Sequence, residues 1–280
     1  MPETVAALAR RELLSVRNLV VEFPTKHGAI LRAVDGACLD MEDGEIHGLV
    51  GESGSGKTVL ALSILRLVEY PGRITQGEIF WLGKDLLLVP ERELNHVRGR
   101  GVAMVFQNAP SSLNPALRIG TQLVGLLKFR RGMNRSDAQG EASRLLAAVH
   151  LQELDRILSS YPHELSVGMA QRVAIALALA CRPRLLIADE PTSALDATVA
   201  VQLIQLLREL HDEFGLSILV ISHDLGVIAR LCERVSVIKA GCIVEDGLVT
   251  EVFHRPKHKY TKTLLQSVLV PDPSLREMRS

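Results

Sequence analysis

The segment Gly51-Glu52-Ser53-Gly54-Ser55-Gly56-Lys57-Thr58 constrains this chain more than any other. It stands between an apolar run at 45–50 and a helix-like stretch at 59–68, which is the order strand, phosphate loop, helix. Glycines let such a loop turn its backbone N–H groups toward a polyphosphate, Lys57 is placed to reach the β and γ phosphates, and the Thr58 hydroxyl is a ligand for Mg²⁺. A ligand-free Gly/Ser turn would not require the Lys-Thr pair or the flanking strand and helix. The segment therefore implies binding of a nucleoside triphosphate by Gly51, Glu52, Ser53, Gly54, Ser55, Gly56, Lys57 and Thr58.

At 280 residues the chain is long enough to bury a large core and to carry an insertion in it. Its formal net charge is zero and it has no dense Lys/Arg block, so nothing electrostatic points to nucleic acid. Apolar residues make up 47%, yet no run approaches the roughly 20 residues of a membrane-spanning helix. Residues 1–12 read as a loose leader without the apolar centre of a secretory signal. Cys38, Cys181, Cys232 and Cys242 are scattered and form no Cys-x-x-Cys pair, which suits reduced thiols buried in packing.

Residues 13–23 and 29–41 cluster β-favouring side chains around the turn Thr25-Lys26-His27-Gly28, which predicts an antiparallel hairpin ahead of the phosphate loop. Strands are expected at 77–83 and 102–107. From Asn108 the pattern changes to helical periods at 121–131 and 136–149, with no strand signal before Leu185. Beyond it, helices are expected at 168–180 and 199–214, buried strands at 185–188 and 216–222, and a hairpin around Gly241. Strands alternating with helices on both sides of a helical stretch define an α/β fold. The expected organisation is a phosphate-loop core at 13–107 and 166–250 with a mostly parallel sheet and an N-terminal antiparallel β subdomain. An α-helical subdomain is inserted at 108–165, and 251–280 forms a C-terminal helical tail.

Two carboxylates, Asp189 and Glu190, end the apolar run Leu185-Leu186-Ile187-Ala188, at the strand end where open α/β sheets bind ligands. Alone, the pair would also suit an acidic turn. Beside a phosphate loop, Asp189 reads as a Mg²⁺ partner and Glu190 as the group that orients and polarises an attacking water. His223 follows the next apolar strand and should emerge on the same edge as Glu190, within reach of a γ-phosphate. Gln107 closes the strand before the helical stretch, where a neutral amide could sense Mg²⁺ and water without adding charge. Ser166 opens the helix Val167-Gly168-Met169-Ala170-Gln171-Arg172 and makes its amino terminus an anion site.

Leu165-Ser166-Val167-Gly168-Met169-Ala170-Gln171 resembles the Leu-Ser-Gly-Gly-Gln signature of ATP-binding cassette proteins, and the resemblance extends over nearly the whole chain. It implies that Phe23 stacks on adenine and that Gln107 lies at the mouth of the helical subdomain. It also makes Asp189 and Glu190 the magnesium and catalytic carboxylates, His223 the switch histidine, and Ser193-Ala194-Leu195-Asp196 the loop that crosses a dimer. Two such cassettes pack head to tail, each ATP lying between one phosphate loop and the other subunit's signature. The implied activity is ATP hydrolysis with Mg²⁺.

Phe23-Pro24-Thr25, Pro71-Gly72-Arg73-Ile74, Tyr161-Pro162-His163-Glu164 and Ile221-Ser222-His223-Asp224 look like the ATP-binding subunits of dipeptide, oligopeptide and nickel importers. That likeness implies a second ATPase subunit, two membrane permeases, an external substrate-binding protein and a place on the cytoplasmic face of the membrane. Peptide is the expected cargo, ahead of nickel or another small solute. A soluble cassette protein that does not transport is the competing reading, and a phosphate-loop kinase or GTPase leaves the signature without a role. Two positions depart from the family pattern. Val167 replaces a usual glycine, so a composite site built on this signature is expected to work poorly while a partner with an intact signature completes an active one. Arg255-Pro256-Lys257-His258-Lys259-Tyr260-Thr261 resembles the family's Pro-x-His-Pro-Tyr-Thr segment with Lys259 for the second proline, and no cysteine follows Cys242, so no iron–sulfur cluster is expected.

Overall fold

The computed structural model describes residues 12–25 and 28–267. The leader expected at 1–12 lies outside them except for Glu12, which opens the first strand, and so do Lys26 and His27 of the expected turn and the end of the tail. Two sheets organise the described residues. The first contains β1 (Glu12–Pro24), β2 (Ile30–Glu42), β4 (Arg73–Trp81) and β5 (Lys84–Asp85) in the order β2-β1-β4-β5, all antiparallel.

The second sheet has the order β10-β9-β3-β8-β7-β6. Its members are β3 (Ile46–Val50), β6 (Val102–Val105), β7 (Leu185–Asp189), β8 (Ser217–Ser222), β9 (Arg234–Lys239) and β10 (Cys242–Leu248). Pairing is parallel from β9 through β3, β8 and β7 to β6, and antiparallel only between β9 and β10. Every residue of β3, β7 and β8 is buried, as expected of strands covered on both faces.

Most expected elements occur with small shifts, and the differences have physical causes. The strand predicted at 77–83 begins at Arg73 and ends at Trp81, with Gly77 at φ 101° where the register against β1 shifts. The strand predicted at 102–107 stops at Val105, which is as far as β7 pairs, so Gln107 sits in the following loop. The helix after the phosphate loop spans Lys57–Ile64 rather than starting at Val59 and reaching Val68. A helix at Glu91–Arg100, interrupted at Arg98 and Gly99, gave no periodic apolar signal because Leu94 is its one buried residue. Cys181 and Cys232 are buried as expected, but Cys38 is exposed and Cys242 half-buried, so packing accounts for only two of the four thiols.

Between β6 and β7 the chain is helical at Ala109–Ser112, Ile119–Arg131, Arg135–Ala148, Leu154–Ser159 and Val167–Ala180. One apolar cluster joins Leu123, Leu127, Leu145 and Leu146 from these helices to Ile46, Val50, Leu186 and Ile218 of the parallel sheet. A second cluster fills the space between the antiparallel sheet, Leu60 and Ile64 of the first helix, and Leu49, Ile187 and Ile221 on the other face of the parallel sheet. Alternate residues of one buried strand thus feed the two cores. His47 is accommodated within β3 because both ring nitrogens are bonded, to Glu45 Oε1 at 2.8 Å and to Ser236 Oγ at 2.8 Å.

The helix Arg135–Ala148 is tied to its neighbour by Glu141, which accepts from Arg131 at 2.7 Å and from Arg144 at 2.8 Å. The bond from Arg144 outweighs burial and, with that from Arg131, lowers the Glu141 pKa to about 2. A lowered carboxylate pKa stabilises the fold above the unfolded value of 4.5, and that stability is lost as pH falls toward about 2. Glu141→Gln should therefore reduce stability at pH 7 by about 1–2 kcal/mol, Arg144 being half in solvent. Urea unfolding across pH should show that difference shrinking between pH 4.5 and 2.

Candidate functional site

β3 delivers the phosphate loop at its carboxyl end, and the helix Lys57–Ile64 leaves from it. Gly56 takes φ 106°, and a Cβ there would collide with the Ala33 carbonyl oxygen, so no other residue fits this turn. Lys57 is 5% exposed. Its ammonium donates to the Gly51 and Glu52 carbonyls at 2.8 and 2.9 Å. Burial lowers the Lys57 pKa, while Glu190 and Asp189 raise it again. The Ser55 hydroxyl, also buried, has no hydrogen-bond partner among the described residues.

β7 and β8 lie next to each other and bring the other polar groups to the same edge. Asp189 ends β7 and is 2% exposed, with Oδ1 lacking a hydrogen-bond partner among the described residues. Burial raises its pKa, a hydrogen bond from Thr58 opposes this, Glu190 raises it further and Lys57 lowers it. A buried, under-bonded carboxylate beside a hydroxyl is a pair of hard oxygen donors, which fits Mg²⁺.

Glu190 adopts φ 45°, a conformation that non-glycine residues take only when their surroundings hold them. Its N–H donates to the Ile221 carbonyl of β8 at 2.9 Å, and its carbonyl accepts from Ser193 Oγ at 3.0 Å. The carboxylate is held on both oxygens. Gln107 Nε2 donates to Oε2 at 2.9 Å, and His223 Nδ1 lies 3.1 Å from Oε1. The expected meeting of His223 and Glu190 on one edge is thus present in the fold, and Gln107 joins them from its loop rather than from a strand.

Phe23 lies half-buried near the end of β1, its ring edge covering Gly72. Ser166, Val167 and Gly168 form a separate grouping with Asp196. Ser166 caps the helix Val167–Ala180 by accepting from Met169 N at 3.3 Å, and Asp196 caps the helix Ala197–Phe214 by accepting from Thr198 N and Val199 N at 3.1 and 3.0 Å. A Cβ on Gly168 would lie 3.0 Å from Val199 Cγ1, so these two helix starts press together where Gly168 has no side chain. Val167 is 44% exposed and leaves its helix end open to solvent.

Two supports of the loop carry no local signal in the sequence. Gly241, in the hairpin turn between β9 and β10, donates its N–H to the Ser55 carbonyl at 2.9 Å. Tyr260 places its hydroxyl 3.0 Å from the Glu52 N–H. Neither follows from local pattern, because each contact joins residues far apart in the chain. Among the described residues, no helix is long and apolar enough to cross a membrane.

A parallel α/β sheet with a phosphate loop, a buried lysine and two carboxylates on the adjacent strand edge defines a phosphate-loop nucleoside triphosphatase. The ABC transporter family model matches residues 34–193. The chain is 45% identical over 266 residues to the oligopeptide transport ATP-binding protein OppD of Salmonella typhimurium, spanning 95% of this chain and 79% of that one. It is 43% identical over 256 residues to the dipeptide transport ATP-binding protein DppD of Escherichia coli, spanning 91% and 78%. The ATP-binding cassette MJ0796, solved as a dimer in a post-hydrolysis state with ADP and phosphate, superposes with a TM-score of 0.75 at 29% identity, covering 85% of this chain and 99% of that one. This chain belongs to the ABC transporter family and is an ATPase of the cassette type.

The contact between the two helix starts can be tested in the protein alone. Gly168→Ala gains about 0.5–1 kcal/mol of helix stability but crowds Val199, so it should stabilise the Val199→Ala background by more than it stabilises the wild type, a difference that urea unfolding resolves.

Proposed function

We propose that this chain is the ATP-hydrolysing subunit of a peptide importer, stationed on the cytoplasmic face of the membrane against two permease subunits and served by an external substrate-binding protein. The naming of its relatives as oligopeptide and dipeptide transport ATP-binding proteins supports the cargo. The observation that carries the chemistry is the doubly held Glu190 carboxylate beside the phosphate loop.

In this reading the N–H groups of the loop from Gly51 to Thr58 and the Lys57 ammonium bind the polyphosphate, and Phe23 carries the adenine. Thr58, Asp189 and Gln107 would hold Mg²⁺, which would neutralise charge on the phosphates. Glu190 orients the attacking water and accepts its proton. His223 and Gln107 fix that carboxylate so that it faces the water without reorganisation, and His223 also contacts the γ-phosphate. The charge that develops on the phosphoryl oxygens is met by Lys57 and by donors from a second cassette.

Those donors are the N–H groups at the amino terminus of the partner's signature helix, as Ser166, Val167 and Gly168 offer to the partner's nucleotide. Asp196 lies on the loop that crosses this dimer. The dimer of the MJ0796 cassette supports the arrangement. A non-identical partner is favoured here because Val167 places a Cβ where the signature usually leaves the backbone bare. Nucleotide then closes the dimer and hydrolysis reopens it, which is the differential affinity a transport cycle needs.

Glu190→Gln should lower phosphate release by about 10²- to 10⁴-fold while ATP binding persists, the span that general-base catalysis supplies. Tagged protein recovered from detergent-solubilised membranes should bring down two permeases and a second cassette, and a soluble homodimer alone would remove the importer assignment. Within that complex, Val167→Gly should raise the ATPase rate, and an unchanged rate would show that the Cβ at 167 does not limit its composite site.

A further inference from the structure

We infer that Tyr260 is a positioning residue for nucleotide binding, holding the Gly51–Glu52 peptide of the phosphate loop through its hydroxyl. The contact joins the first turn of the helix Lys259–Ser267 to a loop 208 residues away. Tyr260 is 6% exposed and its oxygen stands 3.0 Å from Glu52 N, in a bond that is partly buried.

The Gly51–Glu52 peptide is gripped from both sides. Its N–H, on Glu52, donates to Tyr260, and its carbonyl, on Gly51, accepts from Lys57 Nζ at 2.8 Å. The same ammonium is the group that must turn toward the phosphates, so Tyr260 is the fixed half of a pair whose other half is shared with nucleotide. A peptide tethered only by Lys57 would be free to rotate once the ammonium engaged a phosphate, and the loop would have to be ordered at the expense of binding.

Tyr260 is itself held in place from two directions. Lys239 Nζ lies 4.8 Å from its ring centroid, at the end of β9. The Glu245 carboxylate on β10 accepts from the N–H groups of Lys257 at 2.7 Å and His258 at 2.9 Å, fixing the turn just before it. Burial raises the Tyr260 pKa, the Glu52 N–H lowers it and the Glu52 carboxylate raises it again, leaving a neutral phenol at pH 7. These anchors are unrelated to nucleotide, which makes the hydroxyl a preset support.

The inference rests on the nucleotide reading of the loop, and three variants of the full chain separate the two. Tyr260→Phe keeps the ring and removes the oxygen. It should weaken MgATP binding by about 3- to 10-fold, the range of one net buried hydrogen bond, and raise KM for ATP by the same factor with kcat in the assembled transporter changed less than about two-fold. Glu245→Gln, which loosens the turn without touching ring or loop, should shift KM in the same direction, and should add nothing in the Tyr260→Phe background. Lys57→Ala should abolish binding. Equal binding by Lys57→Ala and wild type would overturn the nucleotide reading, whereas loss in Lys57→Ala with unchanged KM in both Tyr260→Phe and Glu245→Gln would overturn the role of Tyr260 alone. A fall in melting temperature without a change in KM would assign the hydroxyl to folding and also overturn it.

Discussion

A buried ammonium at the mouth of a parallel sheet is the constraint to which the rest of this molecule answers. Lys57 gives up most of its water, which costs several kcal/mol unless other groups replace it. Two carbonyls of the loop and the charges of Asp189 and Glu190 make that replacement. Each of these partners is placed by a different strand or turn. The loop must fold back on its own lysine, β7 must stand close enough to oppose it, and the turn after β7 must take a left-handed conformation. A polyphosphate arriving here meets a cation already stripped of solvent, so part of the cost of desolvation has been met during folding.

The parallel sheet makes this arrangement repeatable along one edge. β3, β8 and β7 are buried on both faces, which leaves their carboxyl ends as the places where polar side chains reach solvent. Glu190 and His223 therefore meet although 33 positions separate them in the numbering, because the strands that carry them are neighbours. Gln107 comes from the loop after the edge strand β6 and completes the carboxylate's hydrogen bonds. The acidic group is thereby committed to one orientation before any substrate is present.

The buried strands were legible because a strand covered on two faces must be largely apolar, and the helices Ile119–Arg131, Arg135–Ala148, Val167–Ala180 and Ala197–Phe214 because their periodic runs are long, whereas Leu154–Ser159 is too short to show a period. The limit of β6 was not legible, since Phe106 and Gln107 look no different from strand residues until β7 stops pairing. Cys38 illustrates the same difficulty: its strand has an exposed face, and alternation alone does not say which face that is. The phosphate loop announced itself by spacing, but its outer supports did not. Tyr260 and Gly241 touch it through contacts that only the folded chain creates, and the helix at Glu91–Arg100 rests on one buried leucine.

The apolar cluster that runs from the helices between β6 and β7 into one face of the parallel sheet limits how those helices can move. A segment with its own core could swing on two connecting strands of chain as a hinged lid. Here a swing would carry the helices of Leu123 and Leu145 away from Val167–Ala180, through which their cluster reaches the sheet, and expose apolar area at about 25 cal/mol per Å². Small sliding displacements of interlocked side chains avoid that exposure. Displacements that keep the packing move the outer helices together with Val167–Ala180, and so carry Ser166 at its amino terminus with them.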